Sequence, residues 1–326
     1  MAEIHRRVIL KPPNLRDDAA AKLRATLTAA VEANKTLGRR SPHVLQLLGD
    51  LQENEQAFFI EHEPASPRFL IPDLFDPGAD CPPPEHLKEL AWAVFDALRA
   101  AHISGDRQAV AHGGLCPGVV LTSADGISKV ADFGFAPAIC SALGVEEFLN
   151  LAVGPNPDLP ADAQGTAAWE VLSPDEFERD DRICAFIDPD KYRERTLHTF
   201  ERASDIIAAG FLLHLFAEHG HPYLYNDPEA HRHPTTSEFI AFAIYNGARR
   251  PELRGSTDPG INKWCELVAR MLANLPRERP TADELVKELA PHVTPLDPAE
   301  LLTRKLNNLR ERVKQHIEAA YGIRGS

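Results

Sequence analysis

The sequence predicts an α+β fold in which a small sheet with one helix precedes a longer, mainly helical part. Three observations carry that expectation. Short β-type runs stopped by proline or turn residues fall within residues 1–63. From residue 84 onward, apolar residues recur mostly at helical spacing. The run S-D-I-I-A-A-G-F-L-L-H-L-F, beginning at Ser204, is apolar almost all the way round, which marks a helix inside a core. At 326 residues, 44% apolar and 25% charged, the chain has an ordinary globular composition and ample material for a core. The expected organisation is a first unit over 1–63, a second over 64–293 and a C-terminal helix within 294–326.

Taken in order, Ile4 to Lys11 reads as a strand stopped by Pro12-Pro13. Asp17 to Leu37 has helical periodicity, with Leu23, Leu27, Ala30 and Val31 on one side. Ser41 to Gly49 then enters a strand, and a turn at Glu53-Asn54 leads to another over Ala57 to Ile60. A helix from Pro84 to His102 carries Leu87, Leu90, Ala91, Val94, Leu98 and Ala101. Short strands and loops are expected through about residue 134. Residues 136–203, rich in Pro, Asp and Gly, read as a loop too long for a simple connector, which argues for a functional segment. Beyond the apolar helix, further helices are expected near 236–246, 261–273, 281–290 and 298–321. In the last, Leu302, Leu306, Leu309, Val313 and Ala320 stand near heptad spacing; packing onto the helical unit is favoured over a coiled coil.

Charge and composition exclude several classes. A net charge of −13 lacks the basic footprint of a nucleic-acid binder, and no basic run beside an apolar helix suggests a membrane surface. The longest nearly apolar run, Ile206 to Ala217, is too short to span a bilayer, and M-A-E-I-H-R-R has no signal-peptide apolar region. Five widely spaced cysteines with no C-x-x-C suit a reducing cytoplasm rather than a disulfide framework. His219, His221, His231 and His233 read as an exposed loop, since no carboxylate or cysteine stands at ligand spacing.

The chemistry-bearing stretch is H-G-G-L-C-P-G-V-V-L from His112, followed by V-A-D-F-G-F-A around Asp132. It resembles the protein kinase catalytic loop H-R-D-L-x-P-x-N-V-L and its D-F-G magnesium motif, with His112 and Asp132 at the usual twenty-residue spacing. V-I-L-K ending at Lys11 is similar to the strand whose lysine contacts the ATP phosphates, and Glu32 to the helix glutamate that pairs with it. Phe58 to Glu63 resembles the hinge strand, with Ile60 as gatekeeper beside the adenine. Ser204-Asp205 with Gly210 looks like the start of the buried αF helix, whose aspartate would bond the catalytic-loop backbone. Pro276 to Thr281 resembles P-x-x-R-P-T, whose arginine, here Arg279, pairs with the acidic end of an A-P-E motif. Two stretches fit that motif, Ser173-Pro174-Asp175 and Ile187-Asp188-Pro189-Asp190. Over about residues 5–290 the chain thus resembles the eukaryotic-like (Hanks-type) protein kinases of bacteria. The resemblance implies a bilobal kinase fold: a reduced N-lobe, a helical C-lobe, and an activation-like segment at about 135–203.

The departures are chemical. No G-x-G-x-x-G precedes Lys11, Gly114 stands at the catalytic aspartate, Val119 at the metal-binding asparagine, and Cys116 at a basic position. Losing a general base alone costs about 10²–10⁴ in rate, and the lost clamp and metal ligand remove charge stabilisation as well. The expectation is therefore a pseudokinase: a regulatory or scaffolding interaction module in signalling. The alternative is a nucleotide-binding enzyme of kinase fold with weak kinase or nucleotidyl-transfer activity. For cofactors, two readings stay open. Lys11, Glu32, Ile60 and Asp132 hold ATP with one Mg²⁺, or Lys11–Glu32 is a residual ion pair and Asp132 caps a local turn. His112, Asp205 and Arg279 are expected to be structural. A protein partner is expected along the edge strand Ile4 to Lys11 or on the activation-like segment.

Overall fold

The computed structural model describes residues 5–11, 15–67, 84–102, 109–115, 117–143, 201–217, 257–273 and 275–293, together with Thr303 and Arg310. Helix and sheet are mixed in an α+β arrangement of two small antiparallel sheets and six helices among the described residues. No described helix is long and apolar enough to cross a membrane.

The first sheet consists of β1 (His5–Leu10), β2 (Gln52–Glu53) and β3 (Ala57–His62), in the order β1-β3-β2. β1 runs antiparallel to β3 in a register from His5 opposite His62 to Leu10 opposite Ala57, so among the described residues β1 forms one edge of this sheet. The β2–β3 hairpin is closed by Asn54, whose Oδ1 accepts from the backbone N–H groups of Gln56 and Ala57, each at 2.8 Å.

Between β1 and β2 lies α1 (Asp17–Arg40), with Asp17 and Asp18 in its first turn and Arg39 and Arg40 in its last, both complementing the helix dipole. It buries Leu23, Leu27, Ala30, Val31, Asn34 and Leu37 along one stripe. The segment after it, Ser41 to Gly49, is not the expected strand. Its backbone divides its hydrogen bonds: Leu45 N–H donates to Val130 O, and Leu48 N–H to Glu61 O. Single bridges, Val44 to Val130 and Leu47 to His62, therefore replace a ladder, and the segment ties two sheets together instead of extending one.

The second sheet, in the order β4-β5-β6, contains β4 (Ala65–Pro67), β5 (Val120–Ser123) and β6 (Ser128–Val130). The β5–β6 turn uses Gly126 at φ +78°. Below it pack α2 (Pro84–His102), α4 (Arg202–Ala217), α5 (Pro259–Met271) and α6 (Ala282–Leu289). Local signals start the last two. Asp258 caps α5 by accepting from Gly260 N–H at 2.7 Å, and Thr281 with Glu284 forms a capping box on α6. Gly210 lets α4 approach α5 closely: a Cβ there would lie 3.1 Å from Met271 Cβ.

Two apolar clusters result. The larger joins α2, α4, α5 and α6 to β5 and β6 through residues such as Leu90, Phe95, Leu121, Phe211 and Trp264. The smaller joins Ile9, Phe58 and Ile60 of the first sheet to Leu23, Leu27 and Val31 of α1. It is completed by Phe135, Ala138 and Ile139, which lie on α3 (Phe135–Leu143). That helix corrects the expectation of a loop from residue 136. Pro137 sits in its first turn, where a missing N–H costs nothing, and the buried face holds the short helix in place. The expected helix near 236–246, the histidine loop, most of the activation-like segment and both A-P-E candidates lie outside the described residues, as does the expected helix near 298–321 apart from Thr303 and Arg310, which are helical.

Candidate functional site

Asp205, in the first turn of α4, organises the loop that follows α2. Its Oδ2 accepts from the backbone N–H of His112 at 2.7 Å and its Oδ1 from that of Gly113 at 2.9 Å. The Nε2 of His102, at the end of α2, meets the same carboxylate at 2.9 Å. Gly113 adopts φ +75°, a conformation that lets two successive N–H groups converge on one side chain.

The ring of His112 is fully buried and bonded at both nitrogens. Nε2 donates to Ala131 O at 2.8 Å, and Nδ1 accepts from Gly114 N–H at 3.2 Å. Those partners place the proton on Nε2. Burial pushes its pKa below the ordinary histidine value, so the ring stays neutral. It also lies tilted against Phe133, with ring centroids 4.7 Å apart. Asp205, His112 and Asp132 are thus brought together, with Gly114 beside them and Val119, the residue just before β5, fully buried.

Asp132 has φ +65°, in the left-handed region that aspartate tolerates better than most residues, and Gly134 follows at φ +75°. A Cβ at Gly134 would come within 3.2 Å of Val110 Cγ1. Between them, Phe133 is held by its backbone: Asn34 Nδ2 donates to Phe133 O at 2.6 Å, and Asn34 Oδ1 accepts from Phe133 N–H at 3.1 Å. The carboxylate of Asp132 meets Arg7 of β1 in a two-pronged pair, with Nε donating to Oδ1 at 2.9 Å and Nη2 to Oδ2. Only 1% of the Arg7 side chain and 2% of the Asp132 side chain is exposed.

The expected nucleotide residues are placed differently. Lys11 does not meet Glu32. It lies just past the end of β1, pairs with Glu53, donates to Asn54 O at 2.6 Å and stands 5.0 Å over the Phe58 ring. Glu32 points outward on α1 and pairs with Lys35 at 2.8 Å. Ile60 is fully buried in the smaller cluster, packed among side chains of the core. Arg279 donates from Nε to Ala273 O at 2.9 Å and from Nη1 to Ala203 O at 3.0 Å, tying the end of α5 to the start of α4. Arg7 and Asn34, not Lys11 and Glu32, are the residues of β1 and α1 that reach the Asp132–Phe133 segment.

The residues present do not fit ATP with Mg²⁺ in the manner the resemblance implies. Both oxygens of Asp132 are engaged by Arg7, Val119 offers no ligand atom, and Lys11 is committed to Glu53. Among the described residues no cluster of three or more His, Cys, Asp or Glu stands ready for a metal ion. No protein-family model matches the chain, and no curated protein matches its sequence.

Proposed function

We propose that the chain is a protein pseudokinase: a regulatory or scaffolding module in signalling whose site has lost phosphotransfer. The observation that carries this reading is the loop at His112–Gly114. Asp205 fixes its backbone through two N–H groups and His112 braces it from beneath, while the adjoining Gly114 presents no side chain. Such a held loop would position a general base, yet the position that would carry it has only hydrogen. The order β1-β3-β2, with α1 packed beside it and the helices below, is compatible with a reduced N-lobe over a C-lobe. The test is the melting temperature with excess ATP, in Mg²⁺ and in EDTA, together with a phosphotransfer assay. A ligand bound at a hundredfold excess over Kd would stabilise the protein by about 2.7 kcal/mol. The expected result is no Mg²⁺-dependent rise and no transfer. A rise abolished by Asp132→Ala, with transfer to a protein substrate, would overturn the reading.

A module of this kind works through partners, and the edge strand β1 is the surface we assign to a protein that adds a strand there. The Val8 and Leu10 amides, which alternate with the Lys11 N–H that donates to Gln56 O beside β3 and so point away from that strand, are then expected to exchange rapidly in the isolated chain and slowly in the complex. Slow exchange of both amides in the isolated monomer would remove β1 as the docking edge.

A further inference from the structure

We propose that α3 is a detachable strap: α1 holds it in helical form, and it opens as a unit about Gly134 while the rest of the fold stays closed. The inference stands apart from the pseudokinase reading, because it concerns only how one helix is held.

Lys22, Thr26, Ala30 and Asn34 stand four residues apart on α1 and so share one face. The segment Phe133 to Ser141 runs along that face in the opposite direction. Asn34 meets Phe133 through both backbone groups, and a Cβ at Gly134 would lie 3.9 Å from Ala30 Cβ. Thr26 Oγ1 reaches Ala138 O at 3.1 Å, sharing its proton with carbonyls of its own helix, and Lys22 Nζ donates to Ser141 O. Asn34, Thr26 and Lys22 thus all bond backbone atoms of the segment. Beside them, Phe135, Ala138 and Ile139 pack with Leu23, Leu27 and Val31 of α1 in the smaller cluster.

A helix of nine residues is marginal by itself in water. α3 has no basic residue in its last turn, and Lys22 of α1 supplies that charge at Ser141 O instead. The strap also has a pivot. Gly134, at φ +75°, can take either sign of φ at little cost. On the near side of it Asn34 pins Phe133 by two bonds, so Asp132 and Phe133 stay in place as α3 swings out. The open state uncovers Leu23, Leu27 and Val31, an apolar stripe that the closed state conceals. A unit of this size opens at less cost than the whole protein unfolds.

Cys140, on α3 and 5% exposed, reports the opening. The test reacts the full chain with iodoacetamide at increasing urea below the unfolding midpoint, and peptide mass spectrometry follows Cys140 alone. The expected result is labelling in native buffer at a rate that hardly changes with urea, because opening α3 exposes far less surface than unfolding does. Lys22→Met should speed that labelling about 2- to 5-fold, and Ile139→Val about 2- to 12-fold, with the far-UV circular dichroism of the folded state retained. Labelling that rises with urea along the full slope of global unfolding overturns the proposal. So does a Cys140 rate that is unchanged in both variants, since neither contact would then hold α3 closed. Neither outcome bears on phosphotransfer, which the ATP experiment decides separately.

Discussion

Asp205→Ala is expected to remove about 3–5 kcal/mol of folding stability, the range typical when one partner of a buried charged network is deleted. The carboxylate accepts from His112 N–H, Gly113 N–H and His102, and all three donors would be left inside the protein. Each buried donor without a partner costs about 1–3 kcal/mol, and water entering the gap recovers part of the sum. Native stabilities are only about 5–15 kcal/mol, so the loss is a large fraction of the whole. In a chain of this size it corresponds to a fall in melting temperature on the order of 10 °C. Urea denaturation measures it directly. Asp205→Asn, which keeps one acceptor, should lose less than alanine. A loss below about 1 kcal/mol for alanine would mean that the loop is held by other contacts.

The second large effect is a pH dependence centred on His214. This residue is on α4 with none of its surface exposed, and neither ring nitrogen has a hydrogen-bond partner among the described residues. Burial lowers its pKa from 6.5 to about 4. The sign follows from which state takes the proton. Below about pH 6.5 the unfolded chain protonates this histidine while the folded chain does not until about pH 4. Stability from this residue is therefore present above about pH 6.5, falls as the pH drops, and levels off below about pH 4. The shift corresponds to about 3 kcal/mol over that window, and to roughly 2 kcal/mol between pH 7.5 and 5. His43 and His112, whose values burial also lowers, add to the same acid loss and remain in any His214 variant. The stability of His214→Leu relative to wild type should consequently rise by roughly 2 kcal/mol between pH 7.5 and pH 5. An identical pH slope in the two proteins would remove His214 as the cause.

The elements that the sequence made legible are those whose pattern is local. The apolar period of Pro84 to His102 defines α2 end to end, and the all-round apolar run predicts the buried α4. The strand Ala57 to Ile60 extends only to His62 in the fold. Ser41 to Gly49 was not legible, because its apolar residues satisfy two different sheets, and no periodicity records that division. Nor was α3, whose nine residues, with Pro137 among them, are helical mainly because α1 and the first sheet bury one face.

The site divides in the same way. Asp205 lies where its motif suggests, at the start of an apolar helix beside the glycine-containing loop. For the basic residue, Arg7 and Lys11 are both compatible with the inward face of a strand by their odd spacing, and the motif V-I-L-K favours Lys11. Strand length decides otherwise: β1 ends at Leu10, so Lys11 falls beyond the buried part of the sheet. For α1 the signal was available. Asn34 lies on the stripe of Ala30, Val31 and Leu37, whereas Glu32 lies on the outer face with 62% of its side chain exposed. A polar amide on an apolar stripe was better evidence of an internal role than a glutamate at the motif's usual place.

The placement of Phe135, Ala138 and Ile139 in the smaller cluster has a consequence during synthesis. The sheet and α1 emerge from the ribosome well before the helix that completes their core. Arg7 and Asp132 are 125 residues apart and Asn34 and Phe133 are 99 apart, so the pins that join the two arrive late as well. At roughly 5–20 residues per second, the nascent first 63 residues wait about 4–15 s with one apolar face uncovered. For that interval the chain presents a hydrophobic surface that the finished protein conceals, and the same surface is what a chaperone would meet first.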